Sequence, residues 1–351
     1  MNTSTDQPVA LITGITGQDG SYLCELLLEK GYIVHGIVRR TSSTVRARLD
    51  SLFVDKSIYG HRLFLHYADL EDATTIRRTL TKVRPDELYH LAGQSHVGTS
   101  FEIPESTSQF TAMGTLRLLE ILRDFSDPPK LLHISSSEIY GRPDTFPQNE
   151  ATPMRPRTPY GVAKTFATQM IQLYRESFGL WACNAICYNH ESPRRGESFV
   201  TRKITRAAAA ISLGLQDQLA LGSLDSERDW GYAPEYVEAM WRMMQQSEPD
   251  DYVVATGHSY SIRAFLDAAF DAVGLRWQDY VVQDPKYMRP AEVQRLIGDP
   301  SKIRHQLGWQ ATTTAPEIAR LMVQHDVDTL AARQTQRPDM PHGESVSHPS
   351  H

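Results

Sequence analysis

The stretch that most constrains the fold lies near the N-terminus. The apolar run PVALIT (8–13) empties into Gly14, Gly17 and Gly20, and a helical period begins at once. G-x-x-G-x-x-G alone says little, because glycines also serve ordinary turns. Set directly between a strand and a helix, it dictates a β-α-β unit whose backbone lies close to a pyrophosphate at the helix N-terminus. The helix is expected over Ser21–Lys30, closed by Gly31, with the second strand over 32–38 (YIVHGIV). Gly14, Thr16, Gly17, Gln18, Asp19 and Gly20 are therefore the first cofactor-binding candidates.

Strand and helix periods continue to alternate: strands near 62–67, 87–91, 130–135 and 181–188, helices near 72–83, 107–125 and 160–178. That pattern predicts an α/β fold with a Rossmann-type doubly wound parallel sheet, which binds ligands at the C-terminal strand ends. Those ends are polar or glycine-rich here. They add Arg39, Arg40, Ser42, Asp69, Leu70, Leu91, Ala92, His190 and Arg195 to the cofactor candidates. An NAD-binding sheet usually carries an acidic residue after its second strand. Arg39, Arg40 and Ser42 suit a 2′-phosphate instead, because guanidinium pairs with phosphate in bidentate fashion, so NADP is the expected cofactor. Arg46 and Arg48 read as a solvated loop or an oligomer contact. Asp69 reads equally as an acceptor for an adenine amine or as a helix-opening residue.

Residues 130–164 carry the chemistry. The apolar strand KLLHI ends in Ser135-Ser136-Ser137-Glu138, and Tyr160 stands four residues before Lys164 at a helix start. One turn apart, the two project from one face, and an ammonium beside a phenol would lower a pKa that is normally about 10. A tyrosine so tuned exchanges protons with a sugar hydroxyl. Taken alone, Tyr-x-x-x-Lys is an ordinary surface pair, and Glu138 an ordinary turn residue. Their shared position at a strand end of a nucleotide-binding sheet gives them a role.

Composition closes off other classes. A net charge of -6 argues against binding nucleic acid through a general basic field. No apolar run is long enough to span a membrane, and the polar start MNTSTDQPVA is no secretory signal, so a cytoplasmic protein is expected. Three cysteines without C-x-x-C spacing read as buried thiols, with no metal site.

The expected organisation is a tail at 1–7, a cofactor domain at 8–190 to which 229–257 returns, and a smaller cap from 191–228 and 258–331. The cap should include a basic helix near 201–213, a loop SLDSERDWGY and a second loop at 284–300. Residues 334–351 read as a disordered tail.

With these residues in view, the chain resembles the extended short-chain dehydrogenase/reductase family, and within it the GDP-mannose 4,6-dehydratases. The resemblance rests on TGITGQDGSYL (13–23), NHESPRRGESFVTRKITRA (189–207), RDWG (228–231), DDYVVATG (250–257) and RPAEV (289–293). It implies a C4 oxidation, loss of water across C5 and C6, and return of hydride to C6, with Ser136, Glu138, Tyr160 and Lys164 catalytic. Sugar 4-epimerases of the superfamily lack the carboxylate at Glu138, and glucose-nucleotide dehydratases place Asp-Glu there. Ser137-Glu138 fits the mannose kind, although that family often has Thr at the place of Ser136. Ser95, Glu138, Asn189, Lys203, Arg228, Arg289 and Glu292 are the implied substrate contacts, for GDP-mannose or, as the alternative, a GDP-heptose. A nucleotide-sugar epimerase or reductase is the other competitor. The resemblance also implies a homodimer or homotetramer, with the Arg39–Arg48 loop reaching a neighbour's cofactor.

Overall fold

Alternate residues of the first strand serve opposite cores. The computed structural model describes residues 7–39, 47–288 and 295–335. Along the first half run β1 (Val9–Thr13), α1 (Gln18–Glu29), β2 (Ile33–Val38), α2 (Asp50–Val54), β3 (Leu63–Tyr67), α3 (Ala73–Val83), β4 (Glu87–His90), α4 (Val97–Glu102), α5 (Pro104–Ser108), α6 (Gly114–Arg123), β5 (Lys130–Ser136), α7 (Pro159–Phe178) and β6 (Ala182–Cys187). The second half holds β7 (Asn189–Glu191), α8 (Val200–Ser212), β8 (Leu219–Leu221), β9 (Glu227–Arg228), β10 (Trp230–Tyr232), α9 (Ala233–Met244), β11 (Tyr252–Val254), β12 (Tyr260–Ser261), α10 (Ile262–Asp271), β13 (Val281–Gln283), β14 (Arg295–Leu296), α11 (Ser301–Leu307) and α12 (Ala315–Thr335).

The central sheet has seven strands, all paired parallel, in the order β11-β6-β5-β4-β1-β2-β3. Strand side chains alternate between faces. Ala10, Ile12, Tyr89, Leu132 and Cys183 therefore join a core with α1 and α9, while Leu11, Leu88, Leu131 and Ala182 join one with α6 and α7. A separate buried cluster unites α8, α10 and α12 through Ile204, Ala208, Phe265, Phe270, Ala319 and Val323. The doubly wound parallel sheet expected from the alternation is thus the observed one. Its order reverses at β1, flanked by β2 and β4, which opens the crevice where such sheets bind ligands.

Several details depart from expectation. Helix α1 begins at Gln18 rather than Ser21, because its first turn is set by the glycine loop and not by apolar period. The helix expected near 107–125 is preceded by α4 and α5, and a single π turn at Gln109–Met113 joins α5 to α6. The segment read as a loop, 223–232, contains β9 and β10, with β10 paired parallel to β7. The expected tail begins too early: residues 334 and 335 belong to α12, and 336–351 lie outside the described residues. Strand β11 joins the main sheet and α9 packs on α1, so part of 229–257 adjoins the first half.

Candidate active site

The cofactor half of the site is built from the β1–α1 turn. Gly14 has φ +75°, and a Cβ there would lie 2.9 Å from the Ala92 backbone nitrogen. A Cβ at Gly20 would lie 2.3 Å from the Gly14 carbonyl oxygen. A side chain is thereby excluded at both positions. Gly17 caps α1 with no side-chain bond, leaving the helix N-terminus bare toward the cavity. Gln18 ties this corner to the far side of the site: its amide donates to the His190 carbonyl at 3.0 Å and accepts from Ser192 Oγ at 2.8 Å.

Asp19 Oδ1 and His190 Nε2 lie 3.0 Å apart, too oblique for a well-aligned hydrogen bond and held by charge. Burial pulls the Asp19 pKa upward, but His190 outweighs it and leaves it at about 2. Burial alone would lower the His190 pKa; Asp19 more than offsets that and holds it above the ordinary value.

The catalytic candidates converge at the end of β5. Ser136 opens a 3₁₀ turn over Ser137–Ile139, where its Oγ accepts from the Glu138 backbone N–H at 3.3 Å. The same hydroxyl favours the charged form of the Tyr160 phenol. Thr158 caps α7 by accepting from Gly161 N at 2.9 Å, and Pro159 occupies the first turn, which fixes Tyr160 against the strand end. Glu138, Tyr160 and Lys164 are all buried.

The expected direct effect of Lys164 on Tyr160 is not what the structure holds. Lys164 Nζ donates to the Ile134 carbonyl at 2.5 Å, and burial lowers its pKa to about 8. Tyr160 is raised above its ordinary value, first by burial and then by the Glu138 carboxylate, with Ser136 and Arg195 opposing. Shared helical face does not decide the partner here; the carbonyl at the strand end takes the ammonium. Beneath them Thr13 Oγ1 meets His90 Nδ1 at 2.8 Å and His90 Nε2 meets Thr115 Oγ1 at 3.1 Å. Burial, with Lys164 nearby, lowers the His90 pKa to about 3, so this layer is neutral.

On the substrate side, Lys203 in α8 lies over the Tyr287 ring at 4.1 Å. Arg228 is buried and donates to the Glu227 carbonyl at 2.8 Å. A cavity of about 1560 Å³ spans both halves. Single ligand sites run roughly 300–1,000 Å³, so it has room for a dinucleotide and a nucleotide sugar together. Every candidate from the sequence that falls within the described residues lines it, from Gly14 through Arg39, Asp69, Leu70, Leu91, Ala92 and Ser95 to Asn189, His190, Arg195, Lys203 and Arg228. Arg40, Ser42, Arg289 and Glu292 lie outside the described residues. Asp69 accepts from Glu71 N at 3.1 Å, whereas the residue that opens α3 is Asp72.

Sequence reasoning missed the supports. Arg48 is half-buried and also turns inward: it donates to the Thr16 carbonyl at 3.0 Å and the Arg194 carbonyl at 2.8 Å, pinning the glycine loop. Buried Glu191 sits 3.1 Å from Arg195 Nε and accepts from Thr201 Oγ1 at 2.6 Å. Its spacing to Arg195, four residues in NHESPRRG, was the available signal.

Comparison with known proteins agrees with this geometry. The family model described as GDP-mannose 4,6 dehydratase matches residues 11–322. GDP-mannose 4,6 dehydratase 1 of Arabidopsis thaliana is 51% identical over 331 residues, which are 93% of this chain and 91% of the relative. Among solved structures, RMD from Pseudomonas aeruginosa complexed with NADPH superposes with a TM-score of 0.75 at 25% identity, covering 92% of this chain and all of that one. The UDP-glucose 4-epimerase of Thermus thermophilus, complexed with NAD, gives a TM-score of 0.77 at 26% identity, covering 91% and 98%.

Proposed function

The chain belongs to the GDP-mannose 4,6-dehydratase family, and from that membership we propose that it converts GDP-D-mannose to GDP-4-keto-6-deoxy-D-mannose and water. The glycine turn, the bare α1 N-terminus and the large cavity fit a nicotinamide dinucleotide; Arg39 at the end of β2 and the NADPH-bound neighbour favour NADP. Held by the glycine turn, that cofactor would supply reversible hydride transfer, from C4 and back to C6, so there would be no net reduction and the enzyme would be a hydro-lyase.

The chain's own residues move the protons. Tyr160 removes the C4 hydroxyl proton, and Ser136 hydrogen-bonds the C4 oxygen. The neighbouring Glu138 carboxylate makes the Tyr160 phenolate scarcer but more basic. The new ketone acidifies C5. Glu138 takes the C5 proton and delivers it to the departing C6 hydroxyl, and Tyr160 then reprotonates C5. Lys164 keeps donors beyond the one used on Ile134 for a cofactor ribose hydroxyl. Lys203, Arg228 and Asn189 meet the nucleotide diphosphate and sugar, with Ser95 on the sugar side. The enzyme is a cytosolic homo-oligomer in this reading, with the Arg39–Arg48 loop at the neighbour contact.

The observation that carries this reading is the convergence of Ser136, Glu138, Tyr160 and Lys164 on one cavity wall at the end of β5. An epimerase needs the tyrosine and has no use for the carboxylate. Neither the epimerase or reductase alternative nor a heptose substrate has support comparable to the 51% identical relative. Glu138→Gln should permit C4 oxidation alone, so NADPH absorbance accumulates on the enzyme without dehydrated product. Normal turnover in that variant would remove Glu138 from its role.

A further inference from the structure

The adenosine end of the cavity holds a device that the proton chemistry does not use. Arg39 follows β2, is exposed, and its guanidinium lies 5.2 Å from the centre of the Phe110 ring. No ion pair engages Arg39 among the described residues. Phe110 belongs to the π turn Gln109–Met113, the one place where the long helical segment from 104 to 123 departs from α geometry. Such turns re-aim side chains and are common at functional sites. Here Phe110 lines the cavity beside Arg39, Asp69 and Leu70.

The ring is held on two sides. It packs against the buried cluster that includes Leu70, Leu118 and Leu122. Arg117 braces the turn below it, donating to Gln109 Oε1 at 2.9 Å and to the Leu70 carbonyl at 3.3 Å. A fixed aromatic face beneath a long, charged side chain attracts it and limits its rotamers, while leaving all the guanidinium donors free. Binding then loses less free energy to ordering the side chain.

We propose that Phe110 is a specificity-determining positioning residue, whose ring holds Arg39 for a ribose 2′-phosphate and so sets the preference for NADP over NAD. This rests on the NADP reading above. The test is fluorescence titration of the full chain with NADPH and with NADH, without turnover. Phe110→Leu should weaken NADPH binding about two- to fivefold, the range of an exposed cation–π contact, and leave NADH binding unchanged. Phe110→Trp should restore NADPH affinity. In an Arg39→Gln background Phe110→Leu should add no further loss.

Unchanged NADH binding also reports that the variant is folded. Equal losses for both cofactors would show that Phe110 merely packs against the adenosine, and would overturn the proposal. So would an undiminished Phe110→Leu effect in the Arg39→Gln background. If the unsubstituted chain binds NADPH and NADH equally, the NADP reading itself falls and the proposal with it.

Discussion

Lys164 carries its charge into a place that resists it. Burial draws its pKa down to about 8 from the ordinary 10.5, with Cys187 and Asp19 opposing only in part. The folded chain therefore binds this proton less tightly than the unfolded chain. Below pH 8 the charged lysine costs stability, and stability recovers as pH rises from about 8 toward 10.5. A gap of that size is about 3 kcal/mol. Lys164→Met would leave the Ile134 carbonyl unpaired, which costs about 1 kcal/mol of the gain. The variant should be inactive yet melt a few degrees higher than the parent at pH 7, with the advantage fading by pH 10. A lower melting temperature at pH 7 would mean that burial of the ammonium carries no such penalty. In its proposed role, Lys164 would trade stability for function, as buried catalytic groups commonly do.

At the scale of elements, the first turn of α8 links three parts of the molecule through consecutive residues. Thr201 bonds Glu191 below Arg195, Arg202 pairs with buried Asp326 of α12, and Lys203 faces the cavity over Tyr287. Residues one apart on a helix point about 100° apart, so these contacts fix both the position and the roll of α8. Helix α12 is thus a strut for Lys203, the proposed substrate contact. Asp326→Asn leaves a buried guanidinium without its counter-charge. It should raise KM for GDP-mannose several-fold while kcat and NADPH affinity change little. A fall in kcat at constant KM would contradict that assignment.

The same scale separates what the sequence could tell from what it could not. Strands β1, β2, β4, β5 and β6 and helices α3 and α7 were legible to within a residue or two, because each repeats its period and ends on a recognisable cap or glycine. Strands β9, β10, β12 and β14 were not: two or three residues hold no period, and partners such as β7 and β10 lie far apart in the chain. For similar reasons RDWG was legible as a motif but not as architecture. Its Asp229 is fully buried and accepts from Thr256 N, Thr256 Oγ1, Gly257 N and Gly298 N, joining three segments that only the fold brings together. Candidate site residues were legible by where strands end, whereas their mutual orientation was not. The spacing of Tyr160 and Lys164 gave a shared face, and the Ile134 carbonyl gave Lys164 a different partner.

For the whole molecule, one sheet edge opens a cavity of about 1560 Å³, which suits the combined bulk of the two proposed ligands. The cofactor side is polar and rigidly cross-braced, through Gln18, Arg48 and the Asp19–His190 pair. The substrate side rests on a second core whose helices carry the cations. The measurement that tests the central claim most directly is mass spectrometry and NMR of GDP-mannose incubated with the chain and catalytic NADP+. The account predicts a product lighter by one water, a new C6 methyl signal and no net NADPH. A product of unchanged mass, or consumption of cofactor in step with product, would contradict it.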